Sequence, residues 1–314
     1  MSSKIEISVI IPITEKKRTN NVAELYPAYK QSLETIGKTY EFICVLDGDY
    51  PHLYMAFQAL KEQGEPIKIL KLSKRFGEST ALSAGFAHAS GDYILTLPAY
   101  QQIHIDKLPM LMDAITGYDM VIARRYPRKD NFINQLQSRI FHALVKQITG
   151  YKFKDLGSGV RLMRRKILEE IQVYGDQHRF LPLWASRYGF KVREIDIPQS
   201  EEDAFQRLYA PGVYVRRLLD VLSVFFLIKF TKKPLRFFGL TGLFIFALGA
   251  ILLILLFIQR MFMGIGLADR PIVLVGLLLF VVGIQILAIG LIGEIIIFTH
   301  AKELKEYTIE QVVN

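Results

Sequence analysis

Hydrophobic positions along the chain follow two regimes. Through the first half, short β-rich runs recur at Ile5–Ile11, Phe42–Leu46, Ile67–Leu72, Tyr93–Leu97 and Met120–Ala123. Most are nearly continuous in apolar residues, as strands covered on both faces should be. Helical candidates separate them at Val22–Thr35, Leu53–Gln63, Ser79–Ala89 and Lys107–Ile115. This alternation predicts an α/β fold with a mostly parallel sheet and helices on both sides. Near the C-terminus the pattern changes: Phe237–Ile258 and Ile272–Gly293 each run about 22 residues without a charge. At 1.5 Å rise per residue each reaches roughly 33 Å, enough to cross a hydrocarbon core of about 30 Å.

Between these regimes lie two amphipathic stretches. Asn134–Thr149 forms a helix with Ile140, Phe141, Leu144 and Ile148 on one face and Arg139 and Lys146 at its flanks. Either a membrane surface or the sheet can receive that face. Tyr214–Phe230 mixes Arg216, Arg217 and Lys229 with dense apolar residues and leads into the first span. The expected organisation is an α/β domain over 1–210, a juxtamembrane amphipathic helical segment over 211–236, and two transmembrane helices within 237–298 (about 237–258 and 272–298). A tail over 299–314 completes it.

Charge gives this hairpin a direction. Arg216, Arg217, Lys229, Lys232, Lys233 and Arg236 precede the first span and Lys302 and Lys305 follow the second, whereas the connecting loop holds only Arg260 and Arg270. The excess outside the loop places both termini on the cytoplasmic side. Met1–Glu6 has no apolar signal core, which agrees with a cytoplasmic α/β domain. An integral membrane protein, in a bacterial inner membrane, is the expectation. The 314 residues carry a net charge of +9 and are 51% hydrophobic, with a pI near 9.4. No nucleic-acid module or aromatic–basic stripe accompanies that charge, so anionic lipids or a phosphate-bearing substrate are its expected partners. The single cysteine, Cys44, sits in an apolar strand pattern and reads as a core residue. In open sheets, ligands bind beyond the C-terminal ends of strands, which points to Pro12–Lys16, Asp47–Tyr50, Ser73–Glu78 and Pro98–Gln102.

These strand ends carry an ordered set of motifs. They are Ile7-Ser-Val-Ile-Ile-Pro12, Val45-Leu-Asp-Gly48, Leu72-Ser-Lys-Arg-Phe-Gly77, Ala84-Gly85 and Ala89-Ser-Gly-Asp92. There follow Ala123-Arg-Arg125, Ser138-Arg-Ile-Phe141, Asp155-Leu-Gly-Ser-Gly-Val-Arg-Leu162, His178-Arg-Phe-Leu-Pro182, Lys233-Pro-Leu-Arg-Phe-Phe-Gly239 and Gly290-Leu-Ile-Gly-Glu294. In this order the chain resembles family 2 glycosyltransferases with a GT-A fold, especially polyisoprenyl-phosphate glycosyltransferases related to dolichyl-phosphate mannose synthase. The likeness covers nearly the whole length. It implies a nucleotide-sugar donor, a polyprenyl-phosphate acceptor and membrane lipids as partners.

By that resemblance Asp155 lies near the transferred sugar as the candidate catalytic residue, a base or electrostatic partner near the attacking lipid phosphate, with capping of the Ser158 or Gly159 amides as its alternative role. Pro12, Glu15, Asp47, Asp49 and Gln101 stand at nucleotide-sugar positions. Arg161 and Arg179 are candidates for phosphate contact through charge-assisted hydrogen bonds, although Arg161 can equally anchor its loop. Lys74 and Arg75 are further candidates for meeting diphosphate charge. Glu294, near the end of the second span, implies a packing or oligomer role, since an intramembrane carboxylate is costly.

The departures concentrate at the chemistry. The family's Asp-x-Asp holds Mg²⁺ or Mn²⁺ against the donor diphosphate, and here Pro98 and Tyr100 replace both acids in Leu97-Pro-Ala-Tyr-Gln101. Proline offers no side-chain ligand, and tyrosine stays protonated at neutral pH. The first-strand motif reads Pro12-Ile-Thr-Glu15-Lys16, and the second retains one of two paired acids in Leu46-Asp47-Gly48-Asp49. Near Ser200–Tyr214, Glu201-Glu-Asp203 and Arg207-Leu-Tyr209 lack the expected glycine and lysine. Two readings follow. One is a membrane-anchored glycosyltransferase using basic groups, or a metal held by other oxygens. The other is a silent relative that binds a partner transferase, a nucleotide or a lipid-linked sugar.

Overall fold

The computed structural model describes residues 4–14, 22–171, 177–203, 234–264, 266 and 270–300, with single positions at 212, 219, 222 and 225. Glu15, Arg207, Tyr209 and most of Tyr214–Phe230 lie outside the described residues, as does everything after 300. The described residues divide into two units, one within Met1–Asp220 and the other within Val221–Glu306.

The first unit alternates as its apolar pattern predicts. It runs β1 (Ile7–Ile13), α1 (Val22–Glu34), β2 (Tyr40–Leu46), α2 (Pro51–Glu62), β3 (Ile67–Lys71), α3 (Glu78–Ala87), β4 (Tyr93–Thr96), α4 (Pro109–Ala114) and β5 (Met120–Arg125). Then come α5 (Phe132–Thr149), β6 (Arg161–Arg164), α6 (Arg165–Glu170), α7 (Leu181–Arg187) and β7 (Val192–Ile197). The seven strands order as β3-β2-β1-β4-β6-β5-β7. All neighbours pair in parallel except β6, which runs antiparallel between β4 and β5. That reversal brings the start of β6 to the edge where β1, β2, β4 and β5 end.

Alternation along β1 sorts the two cores. Val9, Ile11 and Ile13 pack with Tyr26, Tyr29 and Leu33 of α1 and Phe57 of α2. Ile10 on the opposite face packs with Ile43, Val45, Ala81 of α3, Ile94 and Met163. Burying residues on both faces stabilises each Ile or Phe side chain by about 1.5–3 kcal/mol. Two motif glycines permit close approach. A Cβ at Gly85 would lie 2.5 Å from the Ile10 side chain, and one at Gly91 would lie 2.6 Å from the Ser8 backbone nitrogen. Cys44 is fully buried in β2, and burial pushes its thiol pKa up. The α5 helix buries Asn134 and Val145 but leaves Phe132, Leu136, Ile140 and Leu144 exposed, so the sheet does not take its whole apolar face.

In the second unit, α8 (Pro234–Met263) and α9 (Pro271–His300) contain the two apolar runs. Both are long and apolar enough to cross a membrane. They pack antiparallel through glycines: Gly242 of α8 meets Leu287, and Gly283 of α9 meets the Phe246 backbone. Many of their other side chains face outward; Phe244 is 69% exposed. Glu294 accepts a hydrogen bond from the Leu235 amide at 3.3 Å. That amide is one of the unpaired donors of the first turn of α8, so the costly carboxylate caps a helix start.

Candidate functional site

The strand ends form four linked sets of contacts along one edge of the sheet. At the end of β2, Asp47 is 1% exposed and its two carboxylate oxygens accept the Phe76 and Gly77 amides at 2.7 and 2.9 Å. The carboxylate thereby fixes the loop between β3 and α3. Gly48, at φ +113°, lies under Arg75, whose Cγ would be 2.9 Å from any Cβ placed there. Glycine meets both demands, positive φ and close approach. The neighbouring Asp49 is exposed and sits 3.3 Å from Lys71. Pro12 pairs within β1 beside Val45.

Beyond β4, Pro98 and Tyr100 occupy the expected metal positions, and Ala99 between them is buried. Gln101 is half-buried. The next residue, Gln102, is 4% exposed and ties the loop down: its Oε1 accepts the Gly159 amide at 2.8 Å, and its Nε2 donates to the Tyr100 hydroxyl at 3.2 Å. Thr96 donates to the Gly159 carbonyl at 2.7 Å. The strand end is therefore bound to the Gly-Ser-Gly turn by the chain's own amides and hydroxyls.

That turn is held from its other side by two arginines. Arg161 is 4% exposed and donates to the carbonyls of Ser158 and Leu156 at 2.8 and 3.0 Å and to that of His178. Burial lowers its pKa to about 10, which leaves it charged at neutral pH. The structure thus places Arg161 as an anchor of the 156–161 loop and of the segment carrying His178. Arg179 itself is exposed. His178 joins this segment to α3, with Nε2 3.1 Å from Glu78 and Nδ1 3.1 Å from the Ser79 hydroxyl.

Arg125, at the end of β5, is the hub of the fourth set. Its Nε and Nη2 donate to Asp155 at 2.8 and 2.7 Å, and its Nη1 donates to Asp203 at 3.0 Å. Asp155, expected beside the transferred sugar, is 1% exposed. Its carboxylate goes to Arg125 rather than to the Ser158 or Gly159 amides. Burial alone would raise the Asp155 pKa; the Arg125 charge reverses this and holds it well below the ordinary carboxylate range. For Asp203 burial prevails, and its pKa is raised. Gln199, fully buried, donates to Asp203 at 2.7 Å. His142 of α5 accepts the Leu156 amide on Nε2 at 3.0 Å while Nδ1 lies 2.6 Å from the Ser138 carbonyl. These partners assign the neutral Nδ1–H tautomer, and burial lowers its pKa accordingly.

Sequence reasoning did not single out Gln102, Arg125 as a hub, Gln199 or His142. Arg125 closes the Ala123-Arg-Arg125 motif and His142 follows Ser138-Arg-Ile-Phe141, so the motif order held a signal for both.

A divalent ion of the Mg²⁺ or Mn²⁺ type needs several hard oxygen ligands in one place. Among the described residues no three His, Cys, Asp or Glu side chains come together as such a site. Asp47 is committed to backbone amides, and Asp155 and Asp203 to Arg125. Asp92 lies at the opposite end of β4, paired with Lys4. The described residues do not fit the metal.

Residues 8–172 match the family described as Glycosyl transferase family 2. Across 98% of its length the chain is 30% identical to an undecaprenyl-phosphate 4-deoxy-4-formamido-L-arabinose transferase of Enterobacter sp. (strain 638), covering 94% of that protein. It is 26% identical over 95% of its length to a dodecaprenyl-phosphate galacturonate synthase of Rhizobium johnstonii, covering 90% of it. In fold it is similar to glucosyl-3-phosphoglycerate synthase of Mycobacterium tuberculosis, crystallised with Mn²⁺, UDP and phosphoglyceric acid. That likeness has a TM-score of 0.51 at 14% identity and spans 71% of this chain and 78% of the other. With the mostly parallel sheet and the motif order at its strand ends, these matches show that the chain belongs to glycosyl transferase family 2.

Proposed function

We propose that this protein is a membrane-anchored glycosyltransferase that moves a sugar from a nucleotide-sugar donor to a polyprenyl-phosphate carrier, in the synthesis of cell-surface glycans or glycolipids. The observation that carries this reading is the length of the match to polyprenyl-phosphate sugar transferases. Coverage of 98% of the chain takes in α8 and α9 as well as the sheet. A water-soluble acceptor gives no reason for such helices; a lipid acceptor does. The exposed apolar row of α5, with Arg139 and Lys146 beside it, supports contact with anionic lipid.

In the transfer, an oxygen of the acceptor phosphate bonds to the anomeric carbon as the bond from that carbon to the donor diphosphate breaks. The nucleoside diphosphate leaves with the electron pair. Because the acceptor phosphate is already anionic, positioning matters more than proton removal. The buried contacts supply positioning. Asp47 sets the loop bearing Arg75, and Gln102 and Arg161 set the turn at 156–161. Asp155 acts through Arg125, fixing the segment after β7. Pro12, Asp49 and Gln101 line the donor side, and Arg179 meets phosphate.

Purified protein in detergent, given undecaprenyl phosphate and a panel of sugar nucleotides, is expected to release nucleoside diphosphate from one donor only when the lipid phosphate is present. Release that ignores the lipid would count against this acceptor. The charge distribution supports cytoplasmic placement of residues 1–236 and of the tail, in the inner membrane of a bacterium. Cysteines introduced at residue 266, between the helices, and at Asn314 test this in intact cells. An impermeant thiol reagent should label position 266 alone, and labelling at 314 would overturn the topology.

A further inference from the structure

Resting on the donor reading above, we propose that the donor diphosphate is bound without a divalent cation, its charge met by Lys74 and Arg75 from the β3–α3 loop and by Arg179. Three observations support this. First, the strand end that would hold the metal is Pro98, buried Ala99 and Tyr100, and Gln102 fastens it to Gly159. Between Leu97 and Gln102 a metal would find a hydroxyl already hydrogen-bonded and no carboxylate. Second, five described acids of this edge are engaged elsewhere. Asp47 holds amides, Asp155 and Asp203 hold Arg125, Asp49 faces Lys71, and Glu78 faces His178.

Third, the basic side chains are displayed on loops that buried groups fix. Lys74, Arg75 and Arg179 are all exposed. Among the described residues none of them has a carboxylate within ion-pair distance, whereas Lys71 and Arg125 do. Asp47 anchors the loop of the first two through the Phe76 and Gly77 amides. Ser79 and Glu78, which follow that loop, hold His178, the neighbour of Arg179. Both loops are thus tied to the start of α3. Arg75 lies across Gly48, at the mouth of β2, and Lys74 is 5.3 Å from the centre of the Phe76 ring. Guanidinium and ammonium groups carried on anchored loops provide charge-assisted hydrogen bonds to diphosphate oxygens, the electrostatic work that a cation would otherwise do.

The test is calorimetry on the full chain in detergent, using UDP, GDP, CDP and dTDP as probes, in excess EDTA and again with Mn²⁺. At least one diphosphate is expected to bind in EDTA, with an affinity within about twofold of that in Mn²⁺. Lys74→Ala with Arg75→Ala is expected to weaken it by about tenfold or more in both buffers, and Arg179→Ala to weaken it further, with unchanged melting midpoints. The companion variant Pro98→Asp with Tyr100→Asp is expected to make binding Mn²⁺-dependent. Tightening of the unmodified chain by about tenfold in Mn²⁺ would overturn the inference while leaving the transferase reading intact. Unchanged affinity in the Lys74/Arg75 variant would overturn the assignment of the basic groups. Absence of binding by every diphosphate in both buffers would overturn the inference and the donor reading together.

Discussion

Asp155→Ala is expected to lower the stability of the α/β unit by about 3–5 kcal/mol, the usual cost of removing one partner from a buried ion pair. The reason is the charge left behind. Arg125 is 7% exposed and keeps two donors aimed at a vacated site, with Asp203 as its one remaining carboxylate partner in the set. For a unit of this size the loss corresponds to a fall in melting midpoint on the order of 10 °C. Replacing both partners, Arg125→Met with Asp155→Ala, is expected to cost less than the sum of the single changes, because no buried charge is stranded. The pair also has a signature in pH. Its carboxylate pKa is depressed on folding. The stabilisation is therefore complete above the ordinary carboxylate pKa of about 4 and drains away as pH falls below it. A midpoint unchanged to within about 1 °C in Asp155→Ala would show that the pair does not hold the unit together.

Gly283→Leu is expected to open the α8–α9 pair. A side chain at 283 would run into the Phe246 backbone, which cannot rotate aside as a side-chain tip can. The same packing recurs at Gly249 against the Phe280 backbone and at Gly242, where a Cβ would sit 2.6 Å from the Leu287 nitrogen. Small residues let helix backbones approach within lipid, where dispersion and packing replace the hydrophobic drive. Overpacking costs about 1–3 kcal/mol where neighbours yield, and more where the neighbour is backbone. Val281→Leu, at a position 42% exposed, is the control. On heating in detergent, Gly283→Leu should leave solution at a clearly lower temperature than the control. Equal survival of the two proteins would contradict this packing.

The sequence made β1 and β2 legible because they are covered on both faces. Ile7–Ile13 is buried throughout, so its apolar run needs no partner to be recognised. The strands missed are of another kind. β6 is four residues with arginine at each end, and β7 alternates polar and apolar residues at the edge of the sheet. Neither stands out by composition, and the antiparallel insertion of β6 depends on partners far along the chain. The helix-pair glycines, in contrast, had a visible signal: 242 and 249 on one helix, and 276, 283 and 290 on the other, repeat every seven residues.

The site was legible as an order of motifs, not as a set of contacts. Asp47, Asp155 and Arg161 look alike in sequence to exposed loop charges. What they do is decided by partners at a distance: the Phe76 and Gly77 amides for Asp47, Arg125 for Asp155, and the His178 carbonyl for Arg161. No periodicity encodes such pairings. The reading of Pro98 and Tyr100 as replacements for two acids needed no geometry, because it rests on residue type and motif order alone.

The most direct test of the central claim is mass spectrometry of the lipid phase after the full chain in detergent has met undecaprenyl phosphate and sugar nucleotides. The predicted result is a lipid heavier than the acceptor by one sugar residue, joined through its phosphate and formed in equal amount with the released nucleoside diphosphate. Recovery of unmodified acceptor with every donor, from folded protein that still binds a nucleoside diphosphate, would contradict the account.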